Sequence, residues 1–166
     1  RDIRAIVTSR HKSVPDDYFI GFDRQYFIHG GAATYTNPGI LQTHAAIGRA
    51  QRRRDMRITV VRYEDILRHP DAVQSQLGRD IGFAYRGSFR DFHKYEVPIG
   101  LEVQLNERRP LDLASIDAWR ALQHRARIKD QFRRCPQLFE LLKLYGYETD
   151  DRWFDAYREG AMPPAS

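Results

Sequence analysis

Three stretches of the chain carry side chains suited to binding a ligand. The first is Arg1-Asp2-Ile3-Arg4-Ala5-Ile6-Val7-Thr8-Ser9, with a guanidinium at its start and a hydroxyl eight positions later. With Asp2 as N-cap and Ala5-Ile6-Val7 as a buried face, a helix here leaves Arg1 at the approach and Ser9 about two turns inside. Unpaired N–H groups and the dipole at a helix start favour anions. A guanidinium adds a fork that matches phosphate oxygens, and a serine adds one more donor. The second stretch is Arg62-Tyr63-Glu64-Asp65, directly after a β-branched run. Ligands of open α/β sheets gather at such strand ends, although Glu64 and Asp65 also suit the cap of the next turn. The third is Arg52-Arg53-Arg54, which closes a helical stretch. A solvated helix end explains that run more simply than a binding patch does.

Other chemistries find little support. Gly30-Gly31 has no lysine–serine or lysine–threonine pair after it and is not a phosphate loop. No cysteine–histidine spacing suits a metal, and no serine–histidine–acid set can be singled out. His29 beside the glycines reads as an ordinary polar histidine.

The elements that would position these groups follow from periodicity and punctuation. A helix is expected from Arg1 to about Lys12, ended by the turn chemistry of Ser13-Val14-Pro15-Asp16-Asp17. Tyr18 to Tyr35 is rich in aromatics without clean periodicity, which suits packing under a loop or one wall of an acceptor site. Asn37-Pro38 should open a helix running to about Arg53, with Ile40, Leu41, His44, Ala45 and Ile47 toward the core. Arg57-Ile58-Thr59-Val60-Val61 reads as a buried strand of a parallel sheet. Pro70 starts the next helix and Gly82 closes it. Phe92 and Tyr95 follow Phe89 at helical spacing and are expected in the core. Arg127 to Tyr145 should be helical up to Gly146, and Asp150 to about Arg158 a short amphipathic helix anchored by Trp153 and Phe154.

Composition sets the outer bounds. With 166 residues, 42% hydrophobic and 30% charged, the chain suits one soluble domain rather than a disordered segment. No run of eighteen apolar residues exists to span a membrane, and no signal-peptide pattern is present. The lone Cys135 excludes an internal disulfide, suits a reducing compartment such as the cytoplasm, and is expected to be buried. A net charge of +5 implies an anionic partner or a solvated basic surface. A basic, non-catalytic module that binds nucleic acid or another polyanion therefore stays open as a second function class.

Taken in order, "RDIRAIVTS", "VVRYED" and "GSF" resemble the cytosolic and bacterial-type sulfotransferase family. Those enzymes move a sulfonate group from 3′-phosphoadenosine-5′-phosphosulfate (PAPS) to a hydroxyl or amine and release adenosine 3′,5′-bisphosphate. The resemblance implies an α/β, P-loop-nucleotidase-like three-layer sandwich with a short parallel sheet, mostly helical and incomplete at its N-terminus. Residues 1–160 would be the C-terminal portion of one such domain and 161–166 a tail. It also implies roles: Arg1 and Ser9 on the 3′-phosphate of the donor, and Tyr63 and Phe89 beside adenine. Arg108 or Arg109 would stand in for the basic triplet of a closing segment, which this sequence lacks. Trp119-Arg120 is similar to a pair that follows that segment. The family's phosphate loop and catalytic histidine precede the arginine–serine element, so a cropped or incompletely encoded chain is expected, inactive alone. A missing central strand would leave a sheet edge open to self-association. A nucleotide kinase of similar fold ranks lower, for want of a phosphate loop.

Overall fold

A computed structural model of the chain describes residues 1–9, 24–29, 32–55, 57–82, 84–96 and 109–158. These residues form two compact units: one takes Arg1 with Thr59–Asp117, the other Asp2–Ile58 with Ala118–Ser166.

The second unit holds the larger core. Its helices are α1 (Ile3–Val7), α2 (Ile40–Gln51), α5 (Arg125–Arg134), α6 (Gln137–Leu144) and α7 (Asp155–Arg158), with 3-10 turns at Ala118–Arg120, Leu122–His124 and Arg152–Phe154. Asp2 caps α1 as expected, its Oδ1 accepting the Arg4 N–H at 2.7 Å. The helix then runs only five residues, shorter than anticipated, and residues 10–12 lie outside the described part. The expected single helix across Arg127–Tyr145 is two, because Pro136 has no N–H to donate and its ring opposes the preceding turn. Cys135 sits at that break, fully buried. Gly146 follows α6 with φ 67, the left-handed conformation that lets the chain turn away. Ile3 and Val7 of α1 pack with Ile128 and Phe132 of α5 and Leu138 and Leu142 of α6, all at or below 1% exposure. Each such side chain contributes about 1.5–3 kcal/mol by leaving water. Trp119, Trp153 and Phe154 anchor the rest, with Trp153 and Phe154 set edge-on at 5.4 Å.

In the same unit, β1 (Arg24–His29) and β2 (Ala32–Pro38) pair antiparallel, with Tyr26 opposite Thr36 and an irregularity between Phe27 and Ile28. The second strand runs to Pro38, so α2 begins at Ile40 with Gly39 as cap, rather than at a proline-started turn. Ile40 and Leu41 pack on the core; Ala45, expected there too, is exposed.

The first unit contains α3 (Tyr63–Arg68), α4 (Pro70–Ile81) and 3-10 turns at Phe89–Lys94 and Leu113–Ser115. Pro70 opens α4 and Gly82, at φ 76, closes it, both as the sequence indicates. Leu67, Val73 and Ile116 are buried.

The three-layer α/β sandwich is overturned. Among the described residues the strands are β1 and β2 alone, and they are antiparallel; no parallel sheet exists. The run from Arg57 to Val61 carries no ladder, and Ile58 and Val60 are 37% and 49% exposed. A β-branched run becomes a buried parallel strand only when neighbouring strands accept its N–H and C=O groups, and no described strand does so. With no parallel sheet among the described strands, the edge that a missing central strand would open is not seen there. No described helix is long and apolar enough to cross a membrane.

Candidate functional site

In the first unit, α3 starts at Tyr63 with Arg62 as its extended cap, and carries Glu64 and Asp65 in its opening turn. Acidic groups there complement the helix dipole. Glu64 is buried at 4% exposure, so this acidic pair belongs to the helix start as the sequence allowed. Tyr63 stays 37% exposed. The guanidinium carbon of Arg1 lies 5.2 Å from the centre of its ring, a cation–π arrangement.

Phe89 lies at the start of the turn Phe89–Lys94, half-buried, and its ring meets Tyr85 edge-on at 5.1 Å and 81°. Ser88 caps that turn by accepting the Arg90 N–H at 3.1 Å. One face of α4 receives this loop. Gln74 donates to the Gly87 carbonyl at 2.5 Å and accepts the Phe89 N–H at 2.8 Å. Asp71, nearly a turn earlier, takes the Ser88 hydroxyl at 3.2 Å and Arg90 Nε at 2.7 Å. Between loop and helix is an open, mostly polar hollow of about 320 Å³, walled by Asp71, Gln74, Ser75, Tyr85 and Ser88. At its rim, a Cβ on Gly87 would lie 1.8 Å from the Tyr95 hydroxyl, so any larger residue there must displace the Tyr95 ring. Tyr95 and Phe92, expected in the core, are 48% and 44% exposed. Three residues per turn set Phe89 and Phe92 one above the other, and Tyr95 follows the turn in extended backbone, outside the helical column.

In the second unit the buried guanidinium is Arg4, at 4% exposure. Its Nε and Nη2 donate to Asp2 at 3.0 and 2.7 Å, and its Nη1 to Glu148. Its guanidinium carbon stands 4.0 Å from the ring centre of Trp119 and 4.7 Å from that of Trp153. Burial pulls this group toward losing its proton. The hydrogen bonds and charges of Asp2 and Glu148 outweigh that, holding it above the ordinary arginine value. The anion at the start of α1 is thus supplied from within, by the Asp2 carboxylate. His44 of α2 is paired through Nδ1 with the Tyr145 hydroxyl at 2.6 Å; burial lowers the imidazole below its usual value and raises the phenol.

Of the residues singled out from sequence, Arg1 and Tyr63 are brought together. Phe89 follows Ser88 in the chain and meets Tyr85, both of which line the hollow on α4. Ser9 belongs to the other unit, where it is exposed just past α1 with its N–H bonded to the Ile6 carbonyl at 3.1 Å. Arg109 is exposed, and Arg108 lies outside the described residues, as do Tyr18, Phe19 and Phe22 of the aromatic stretch, whereas Tyr26, Phe27 and Tyr35 fall on β1 and β2. Arg52, Arg53 and Arg54 are exposed, with Arg53 in a two-bond pair with Asp55 at 3.0 and 2.6 Å. Trp119 is buried at 4% exposure, with the Arg120 guanidinium carbon 4.6 Å from its ring centre. Sequence reasoning missed Asp71, Gln74, Ser75 and Gly78. Their spacing of three, four and seven marks one face of α4, a signal present in the chain but silent without its partner loop. Among the described residues no group of histidine, cysteine and carboxylate side chains could hold a metal ion.

No family model, no curated protein and no solved structure matches the chain.

Proposed function

We propose that the chain is the donor-side portion of a PAPS-dependent sulfotransferase and binds adenosine 3′,5′-bisphosphate through its first unit. The observation that carries this reading is the approach of Arg1 to Tyr63, 5.2 Å from guanidinium carbon to ring centre on one exposed surface. A sugar-borne phosphate needs a forked cation, and the attached purine needs a flat ring with a polar edge close by. Phe89, held against Tyr85, offers a second aromatic face. The support is in these side chains and not in a nucleotide-binding sheet. Sulfonate transfer also asks for an acceptor hydroxyl or amine, a base to take its proton, and charge stabilisation on the leaving phosphate. The residues named here bind and orient the donor, in a cytoplasmic setting that suits a free buried thiol.

Calorimetric titration of adenosine 3′,5′-bisphosphate tests the proposal. Wild type should saturate at one site, and Arg1→Ala should weaken binding roughly tenfold, the loss of one charge-assisted contact. Because Arg1 is exposed, the variant should melt with wild type. Equal affinity for both proteins refutes the assignment of Arg1. Saturation that vanishes steeply with salt and shows no preference for this nucleotide would instead mark a general polyanion binder.

A further inference from the structure

We infer that Gln74 is a positioning residue that fixes Phe89 and thereby sets selectivity for a purine base, an inference that rests on the nucleotide reading above. From the middle of α4 its side chain reaches two points of one loop, donating to Gly87 O at 2.5 Å and accepting from Phe89 N at 2.8 Å. A primary amide has a donor and an acceptor in one plane, so it serves both as a neighbouring strand would; methionine, of similar reach, serves neither. The loop is pinned on either side of these bonds. Ser88 N–H donates to the Tyr95 hydroxyl at 3.3 Å, and the Ser88 hydroxyl and Arg90 Nε both donate to Asp71. A Cβ at Gly87 would meet the Tyr95 ring, so Gly87→Ala displaces Tyr95 and the bond it accepts from Ser88 N–H. The backbone at residue 89 is therefore fixed from α4, and the Phe89 ring is set by that backbone and by the edge of Tyr85.

These bonds lie at an exposed or half-buried surface, where a single hydrogen bond adds little to global stability. Removing them should alter ring placement more than melting. The test compares wild type with Gln74→Met and Gly87→Ala against two ligands: adenosine 3′,5′-bisphosphate and abasic ribose 3,5-bisphosphate. The base-stacking contribution predicts a loss of roughly tenfold for the nucleotide in each variant and less than about twofold for the abasic ligand. Amide exchange at Phe89 should accelerate by roughly tenfold in Gln74→Met as its acceptor disappears. Nucleotide affinity unchanged in both variants, with wild type saturating normally, overturns the role of Gln74 and leaves the nucleotide reading intact. An equal loss for both ligands also overturns it, since a base-specific role cannot weaken an abasic ligand. Failure of wild type to bind either ligand removes the nucleotide reading, and this inference with it.

Discussion

Replacing Arg4 by methionine should unfold the second unit more readily than any single surface change. The guanidinium is 4% exposed, donates to Asp2 through two nitrogens and to Glu148 through a third, and lies within 4.7 Å of two indole ring centres. Methionine keeps much of the apolar stem but leaves two carboxylates facing each other across the space of a lost cation. Breaking a buried ion pair from one side costs about 3–5 kcal/mol, chiefly because the stranded charge stays desolvated. Asp2 is the stranded group, with its side chain 7% exposed, whereas Glu148 at 23% can turn toward water. The value should therefore fall near the lower end, about 3 kcal/mol, lowering Tm by about 10 °C for a chain of this size. Arg4→Lys separates charge from shape. An ammonium can satisfy one carboxylate but not grip two while stacking on an indole, so roughly half of the loss should remain. Urea unfolding followed by tryptophan fluorescence reads both variants, since Trp119 and Trp153 flank the site. A Arg4→Met midpoint within about 0.5 kcal/mol of wild type, below the range for any buried pair, would refute the assignment of Arg4 as a keystone.

Two further outcomes follow from local geometry. Burial lowers the folded-state His44 below its ordinary value, so the unfolded chain binds more protons. Stability should accordingly be complete above the unfolded value near 6.5 and decline as pH falls through it toward the lower folded value; His44→Gln should flatten that decline in urea midpoints taken between about pH 8 and pH 5. An unchanged slope in His44→Gln would reject the histidine as its source. Gly82 closes α4 at φ 76 with open space around it, so Gly82→Ala meets backbone strain without steric conflict and should cost about 1 kcal/mol. A neutral or stabilising result in thermal unfolding would show that the turn does not need its left-handed residue.

The features legible in the sequence are those decided within a few residues. Asp2 caps α1, Pro70 opens α4, and Gly82 and Gly146 adopt positive φ, because each depends on the backbone immediately beside it. Trp153 and Phe154 were readable as anchors because aromatics in a short polar stretch have few alternatives to burial. The illegible features depend on distant partners. Arg57 to Val61 has the composition of an interior strand, yet composition cannot supply the neighbouring strand that pairing requires. The arginine pair of the first motif shows the same limit more sharply. Arg1 and Arg4 stand three positions apart in one nine-residue stretch, and phosphate chemistry favours the first. What separates them is Glu148, 144 residues away, together with Trp119 and Trp153, which draw Arg4 inward and leave Arg1 outside beside Tyr63.

That division of labour bears directly on the proposed site. A guanidinium committed to two carboxylates and two indoles has no fork left for a phosphate, so Arg4 cannot replace Arg1 in binding an anion. Its ion pairs instead consume the negative charge nearest the start of α1, since Asp2 is neutralised where it caps the helix. Loss of Arg4 should leave nucleotide affinity unchanged in molecules that remain folded, because the proposed site belongs to the first unit and the Arg4 ion pairs to the second. Comparing nucleotide affinity of folded Arg4→Met with that of wild type at low temperature reads this directly. Equal affinity supports the assignment of the anion contact to Arg1, and a deficit in fully folded protein rejects it.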